Sequence, residues 1–156
     1  MRPSASDLLS QNYGLVAKDL FAPLLDVFAT ARGAFGGDVE KAVVLLEVAI
    51  RTLQDPRLAG IDLKTVLRGE LESYPSLSTN MRSIADSSGI PKETVRRKVA
   101  ALVAEGLVLR EGNQLSLSTT ASPALTPVRE AVLRLAARNY ETVTALHNRD
   151  ALPPDR

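Results

Sequence analysis

"IADSSGIPKETVRRKVAALVAEG" occupies Ile84 to Gly106, and its reading decides the fold. Two helix-like pieces, about Asn80–Ser87 and Pro91–Glu105, are pinched around Ser87-Ser88-Gly89. Ala85 is small enough for two helices to cross closely, and Gly89 four residues on suits a turn that requires positive φ. In the second piece Ile90, Val95, Val99 and Leu102 fall on one side, facing Ile84 and a core. Glu93, Arg97 and Ala100 point the opposite way, flanked by Thr94 and Arg96, with Lys92 at the start. The helix therefore has an apolar back, and a polar, mostly basic front gathered at its N-terminal end. Gly106 closes it.

Downstream the period changes. In "LVLREGNQLSLS" (107–118) Leu107, Leu109, Leu115 and Leu117 alternate with other residues around a Gly-Asn turn, which predicts a β-hairpin. Helix, tight turn, helix, hairpin is the order of a helix-turn-helix with a short wing. In that motif the N-terminal end of the second helix enters the major groove. Arginine bridges guanine O6 and N7 with two hydrogen bonds, glutamate accepts from cytosine N4, and threonine binds phosphate. The candidate DNA contacts are Asn80, Lys92, Glu93, Thr94, Arg96 and Arg97, together with Arg110, Asn113 and Gln114 at the hairpin tip. For those last three, ordinary turn chemistry is an equal reading.

"GIPKETVRRKVAALVAEGLVLREGNQLSLS" resembles the winged helix-turn-helix of bacterial transcription regulators. It has the glycine turn, the recognition helix, the "EGLV" entry to a first wing strand and a short wing. The resemblance covers about residues 78–118. Flanking helices and a long C-terminal helix are similar to the MarR-type arrangement, in which terminal helices of two chains build a dimer. The Asp-x-Arg pair usual in MarR-type wings is missing from "REGNQ". The resemblance implies a homodimer on double-stranded DNA at a (pseudo)palindromic operator.

The rest of the chain predicts mainly α structure. Residues 1–14 read as a tail. Residues 15–75 read as a helical core or dimerisation region. Within it, "LVAKDLFAPLLDVFATAR" (15–32) is helical and is kinked at Pro23 or begins near Phe21. Asp38 caps "VEKAVVLLEVAIRTLQ" (39–54), which is apolar almost all round, so Val43–Ile50 is wrapped either by its own domain or by a second subunit, and a second subunit is the expectation. "IDLKTVLRGELES" (61–73) is a shorter helix. Residues 76–120 form the winged helix-turn-helix domain. A C-terminal dimerisation helix spans 121–147, with Thr126 as its cap, Pro127 in its first turn, and an apolar stripe of Val128, Val132, Leu135, Val143 and Leu146. Residues 148–156 read as a tail.

Composition narrows the function classes. The chain has 156 residues, no cysteine and one histidine, His147, which excludes disulfides and a thiolate or multi-histidine metal site within one chain. The net charge of +1 divides into −2 over residues 1–77, +2 over 78–118 and +1 over 119–156. The positive bias sits on the motif, though it is too mild to argue for nucleic acid alone. No signal peptide and no membrane-spanning run is visible, so a cytoplasmic protein is expected. "GAFGGD" lacks the Gly-Lys-Ser/Thr of a phosphate loop. No nucleophile accompanies His147, and the carboxylate pairs Glu70/Glu72 and Asp38/Glu40 sit at helix ends. The expectation is a regulator that is no enzyme and uses no cofactor. A small-molecule effector is compatible with the helices, but nothing marks its ligand. The rival reading is a winged-helix interaction or assembly module without a specific DNA target.

Overall fold

The structure is a computed structural model that describes residues 3–68, 70, 74 and 77–150, the side chain of Asp150 excepted. It is mainly helical with one small two-stranded antiparallel hairpin. The helices are α1 (Ala5–Gln11), α2 (Tyr13–Ala34), α3 (Val39–Leu53), α4 (Leu63–Leu67), α5 (Met81–Ser88), α6 (Lys92–Ala104) and α7 (Ala121–Asp150). The strands are β1 (Val108–Glu111) and β2 (Gln114–Leu117). The chain divides into two compact units, Ala31–Pro127 and the pair of segments Met1–Thr30 and Val128–Arg156.

In the Ala31–Pro127 unit, α3 packs against α5, α6 and β2, and α6 also meets β1. Val44, Leu45 and Val48 of α3 are buried in this unit, as are Ile84 of α5, Val95, Val99 and Leu102 of α6, and Val108, Leu115 and Leu117 of the hairpin. The Val43–Ile50 segment is thus covered largely by its own unit rather than by a second subunit. Only Ile50 and Leu53 leave large apolar side chains exposed on α3. Asp38 caps α3 by accepting from the Lys41 backbone N–H at 2.9 Å, which the sequence predicts.

The turn between α5 and α6 follows from its residues. The Gly89 N–H closes the end of α5 on the Ala85 carbonyl at 3.0 Å, with φ at +71°. Ser88 Oγ donates to the Ile84 carbonyl at 2.6 Å and accepts from the Ile90 N–H at 3.2 Å. Pro91 then presets the backbone before α6, at φ −55°.

In the hairpin Val108 pairs with Leu117 and Arg110 with Leu115. The two-residue turn has positive φ at Gly112 and not at Asn113, the pattern of a type II′ turn. On β2 the expected alternation holds, with Leu115 and Leu117 buried, while on β1 it is shifted by one residue. On β1 the buried residue is Val108, and Leu109 is exposed. Preceding α5, Thr79 and Leu115 exchange two backbone hydrogen bonds, at 2.9 and 2.8 Å, so the hairpin is anchored to the segment that leads into α5.

The other unit departs further from expectation. The N-terminal segment contains α1, started by a capping box in which Ser4 Oγ accepts from the Asp7 N–H and the Asp7 carboxylate accepts from the Ser4 N–H. Leu8 is fully buried with Val16 and Leu146, and Leu9 and Leu20 pack against them. Helix α2 runs through Pro23 from Tyr13 instead of beginning at Phe21. Proline removes one donor but keeps a helical φ, and buried Val16 anchors the turns before it. Helix α7 starts at Ala121, not Thr126. Pro123 falls in the first turn, where no N–H partner is needed. Ala121, Ser122 and Leu125 are buried. Thr126 donates to the Ser122 carbonyl at 2.9 Å instead of capping. The helix continues to Asp150, into the segment expected as a tail. Helix α4 is shorter than the expected 61–73, whose residues 69 and 71–73 lie outside the described residues, as do 75–76 and the terminal 151–156.

A methyl group added at Gly89 would meet no atom within 4 Å, so the cost of Gly89→Ala is the backbone's alone. We expect it to lower stability by about 1–2 kcal/mol. Urea unfolding checks this: the midpoint should fall with the slope unchanged.

Candidate nucleic-acid interface

Helix α6 is held by its back. Val95, Val99 and Leu102 are each 0% exposed, and burial of such side chains is worth roughly 1.5–3 kcal/mol apiece. That fixes the helix's rotation. Lys92, Glu93, Arg96, Arg97 and Ala100 are consequently exposed, and Thr94 is half-buried at the margin.

The front is not a row of free cations. Arg96 donates side-on to Glu93, Nε to Oε2 at 2.9 Å and Nη2 to Oε1 at 2.5 Å. Those hydrogen bonds, with the charges of Arg96 and Arg97, hold the Glu93 carboxyl below its ordinary range. Arg97 has no hydrogen-bond or ion-pair partner among the described residues. Asn80 caps α5, accepting from the Ser83 N–H at 2.9 Å. At the hairpin, Arg110 Nε donates to the Gly112 carbonyl at 3.0 Å, and Gln114 Oε1 accepts from Ser78 Oγ at 2.6 Å. Asn113 is exposed at the turn. The unit thus carries all nine predicted residues. It gathers Lys92, Glu93, Arg96 and Arg97 on one exposed helix end, and gives Asn80, Arg110 and Gln114 local structural bonds.

Compared with protein-family models, curated proteins and solved structures, the chain matches none.

A second set of contacts, through Lys98, Lys41 and Glu105, none of them singled out in the sequence, fixes α6 from the side. Lys98 Nζ lies 2.7 Å from Asp38 Oδ2 and 3.7 Å from Glu40 Oε2. Lys41 Nζ lies 2.8 Å from Glu105 Oε1. These pairs tie the start of α3 to the middle and the C-terminal end of α6. Lys98 stands three residues after Val95 and four before Leu102, on the buried side of the helix, and its side chain is 14% exposed. A lysine in an apolar stripe was the available signal, since such a charge is rarely buried unpaired. Desolvation pushes the Asp38 carboxyl up, but hydrogen bonds from Lys98 and the Lys41 backbone, with both lysine charges, outweigh it and leave the pKa lowered. Farther along α3, Arg51 Nε donates to the Ser78 carbonyl at 3.2 Å, next to the segment that anchors the hairpin.

Among the described residues no three His, Asp or Glu side chains come together as a metal site, and no helix is long and apolar enough to cross a membrane.

Lys98→Met should cost about 1–2 kcal/mol, between the values for exposed and buried pairs. The sign with pH follows from Asp38. Its native pKa lies below the ordinary 3.8, so its contribution is complete above that value and is lost as pH falls through the lowered native pKa. Urea unfolding at pH 7 and at acid pH should therefore show the wild-type advantage over Lys98→Met shrinking in acid.

Proposed function

We propose that this chain is a winged helix-turn-helix DNA-binding protein, loosely of the MarR kind, that regulates transcription as a cytoplasmic homodimer on a (pseudo)palindromic operator. One observation carries the reading. The exposed N-terminal half of α6 presents Lys92, Arg96 and Arg97 with Glu93, on a helix whose opposite side is fully buried. The two-residue hairpin turn and the Thr79–Leu115 pairing support it, because they give the hairpin a fixed seat beside α5, as a wing requires.

The dimer has a different support from the one expected on α3. Helix α2 exposes Phe21, Leu24, Leu25 and Phe28 at three- and four-residue spacing, with Leu25 at 66%, and α7 exposes Val132, Leu133 and Tyr140. Contiguous apolar exposure of this kind marks an interaction surface. Single residues scattered on a surface would not. A groove of about 750 Å³ along α2 and α7 carries Lys18, Arg138 and Arg149 as well as Asp19 and Glu141. Its mixed signs select no effector class.

The interaction-module reading keeps one observation in its favour: Glu93 neutralises part of the front. Lys92 and Arg97 form no hydrogen bond or ion pair among the described residues, which favours DNA.

Selection from a random duplex pool should enrich two half-sites about 10 bp apart or a multiple of that. On the enriched sequence, Arg96→Ala/Arg97→Ala should abolish measurable preference and flatten the salt dependence by about one unit for each phosphate no longer neutralised. Arg134→Ala, whose guanidinium pairs with Asp26 at 2.9 Å in the other unit, should leave both unchanged. Failure of the wild type to prefer any duplex would place the interaction module first. In light scattering at micromolar concentration, the wild type should run as a dimer and Leu25→Glu/Phe28→Glu as a monomer. A monomeric wild type would remove the dimer from the proposal.

A further inference from the structure

The two arginines on the front of α6 are not equivalent. A guanidinium has five N–H groups in a fixed plane. The side-on contact with Glu93 uses the Nε–H and one Nη2–H of Arg96. The other Nη2–H and both Nη1–H groups remain. One from each nitrogen forms the end-on fork, whose spacing matches the O6 and N7 acceptors on the major-groove edge of guanine. Both side chains are exposed, Arg96 at 62% and Glu93 at 75%, so the ion pair adds little stability. Its effect is to hold the plane of the fork before any ligand arrives, which lowers the ordering cost of binding. Arg97, one residue on, makes no hydrogen bond or ion pair among the described residues, so nothing sets the plane of its guanidinium.

On this geometry, and resting on the DNA-binding reading above, we infer that Arg96 is a preset guanine reader, that Glu93 is its positioning residue, and that Arg97 is a non-selective phosphate contact. Glu93 touches no base in this arrangement. It sharpens discrimination although its charge opposes the phosphate backbone. That combination separates the proposal from a plain electrostatic one. A carboxylate that only screened the front would weaken binding to every duplex alike. A carboxylate that sets the fork improves the ratio between right and wrong base while weakening both.

Two further consequences distinguish the arginines. Lysine keeps the charge but cannot offer two parallel donors in one plane. Arg96→Lys therefore loses base preference and keeps the salt slope. Arg97→Lys keeps both, because a phosphate contact tolerates either cation.

The experiment is a competition between the selected duplex and copies in which single guanines are replaced by adenine, with wild type, Glu93→Gln, Arg96→Lys and Arg97→Lys. All four are checked for an unchanged urea midpoint. We expect the wild type to prefer guanine at one position in each half-site by roughly 10- to 100-fold. Arg96→Lys should remove that preference. Glu93→Gln should bind a scrambled duplex more tightly than wild type and yet discriminate several-fold less well. Arg97→Lys should match wild type. If Arg97→Lys loses the guanine preference instead, or Arg96→Lys retains it, the assignment of the reader is overturned. If Glu93→Gln tightens every duplex equally with the ratio intact, Glu93 is a screen and not a positioning residue. A wild type that binds no duplex overturns the DNA-binding reading itself, and this assignment with it.

Discussion

The buried contact of Val95, Val99 and Leu102 fixes the one degree of freedom that matters for α6, its rotation about its own axis. A helix carrying three fully enclosed aliphatic side chains along one stripe cannot turn without opening a cavity at each, and such cavities cost about 2–5 kcal/mol apiece. Every other residue of α6 takes its orientation from that stripe. Glu93 and Arg97 face out because Val95 and Val99 face in. Lys98, on the buried side, must find a carboxylate, and Asp38 at the cap of α3 supplies it. The same aspartate therefore serves as an N-cap and as an ion-pair partner, which couples the start of α3 to the placement of α6.

Around that constraint the polar groups divide into two kinds. Asn80, Arg110 and Gln114 make short local bonds to a backbone N–H, a turn carbonyl and a serine hydroxyl. They shape the frame: the entry to α5, the hairpin turn, and the seat of the hairpin beside Ser78. Lys92 and Arg97 make none among the described residues, and Arg96 pairs only with its neighbour on the same helix face. Polar side chains that are satisfied internally carry little incentive to exchange partners. Those held outward without partners are the ones a ligand can engage at low desolvation cost. By this division the cations open to a ligand stand on α6, while the bonded polar groups of the hairpin, Arg110 and Gln114, serve its own frame.

Much of this was legible in the sequence, for identifiable reasons. Helices α5 and α6, the Gly89 turn, the Asp38 cap and the Gly-Asn hairpin each rest on local rules of spacing, capping and positive φ, and local rules need no knowledge of distant residues. The failures have equally definite causes. The short α1 has no apolar run for periodicity to detect, although Ser4 and Asp7 have the spacing of a capping box. Pro127 mimics a helix start, when Pro123 already occupies the first turn. Leu109 and Val108 compete for the inner face of β1, and the pairing of Val108 with Leu117 decides between them through a residue on the other strand. The cover of α3 is tertiary information: nothing within Val43–Ile50 tells that its partners are α5, α6 and β2 rather than another subunit.

The terminal unit makes the complementary point about size. It includes two of the longest helical segments in the chain, and among the described residues Leu8, Val16 and Leu146 pack together with Leu9 and Leu20 half-buried against them, while Val128 and Ala131 are buried as well. Meanwhile the apolar side chains of Phe21, Leu25, Phe28 and Tyr140 stand more than half exposed, Tyr140 at 74%. Long helices gain most of their stability from burying an apolar face, not from backbone propensity. A second copy of the same surface, as proposed above, would bury these side chains against their equivalents. Such a proposed dimer would carry two α6 helices, the arrangement with which helix-turn-helix proteins read paired half-sites.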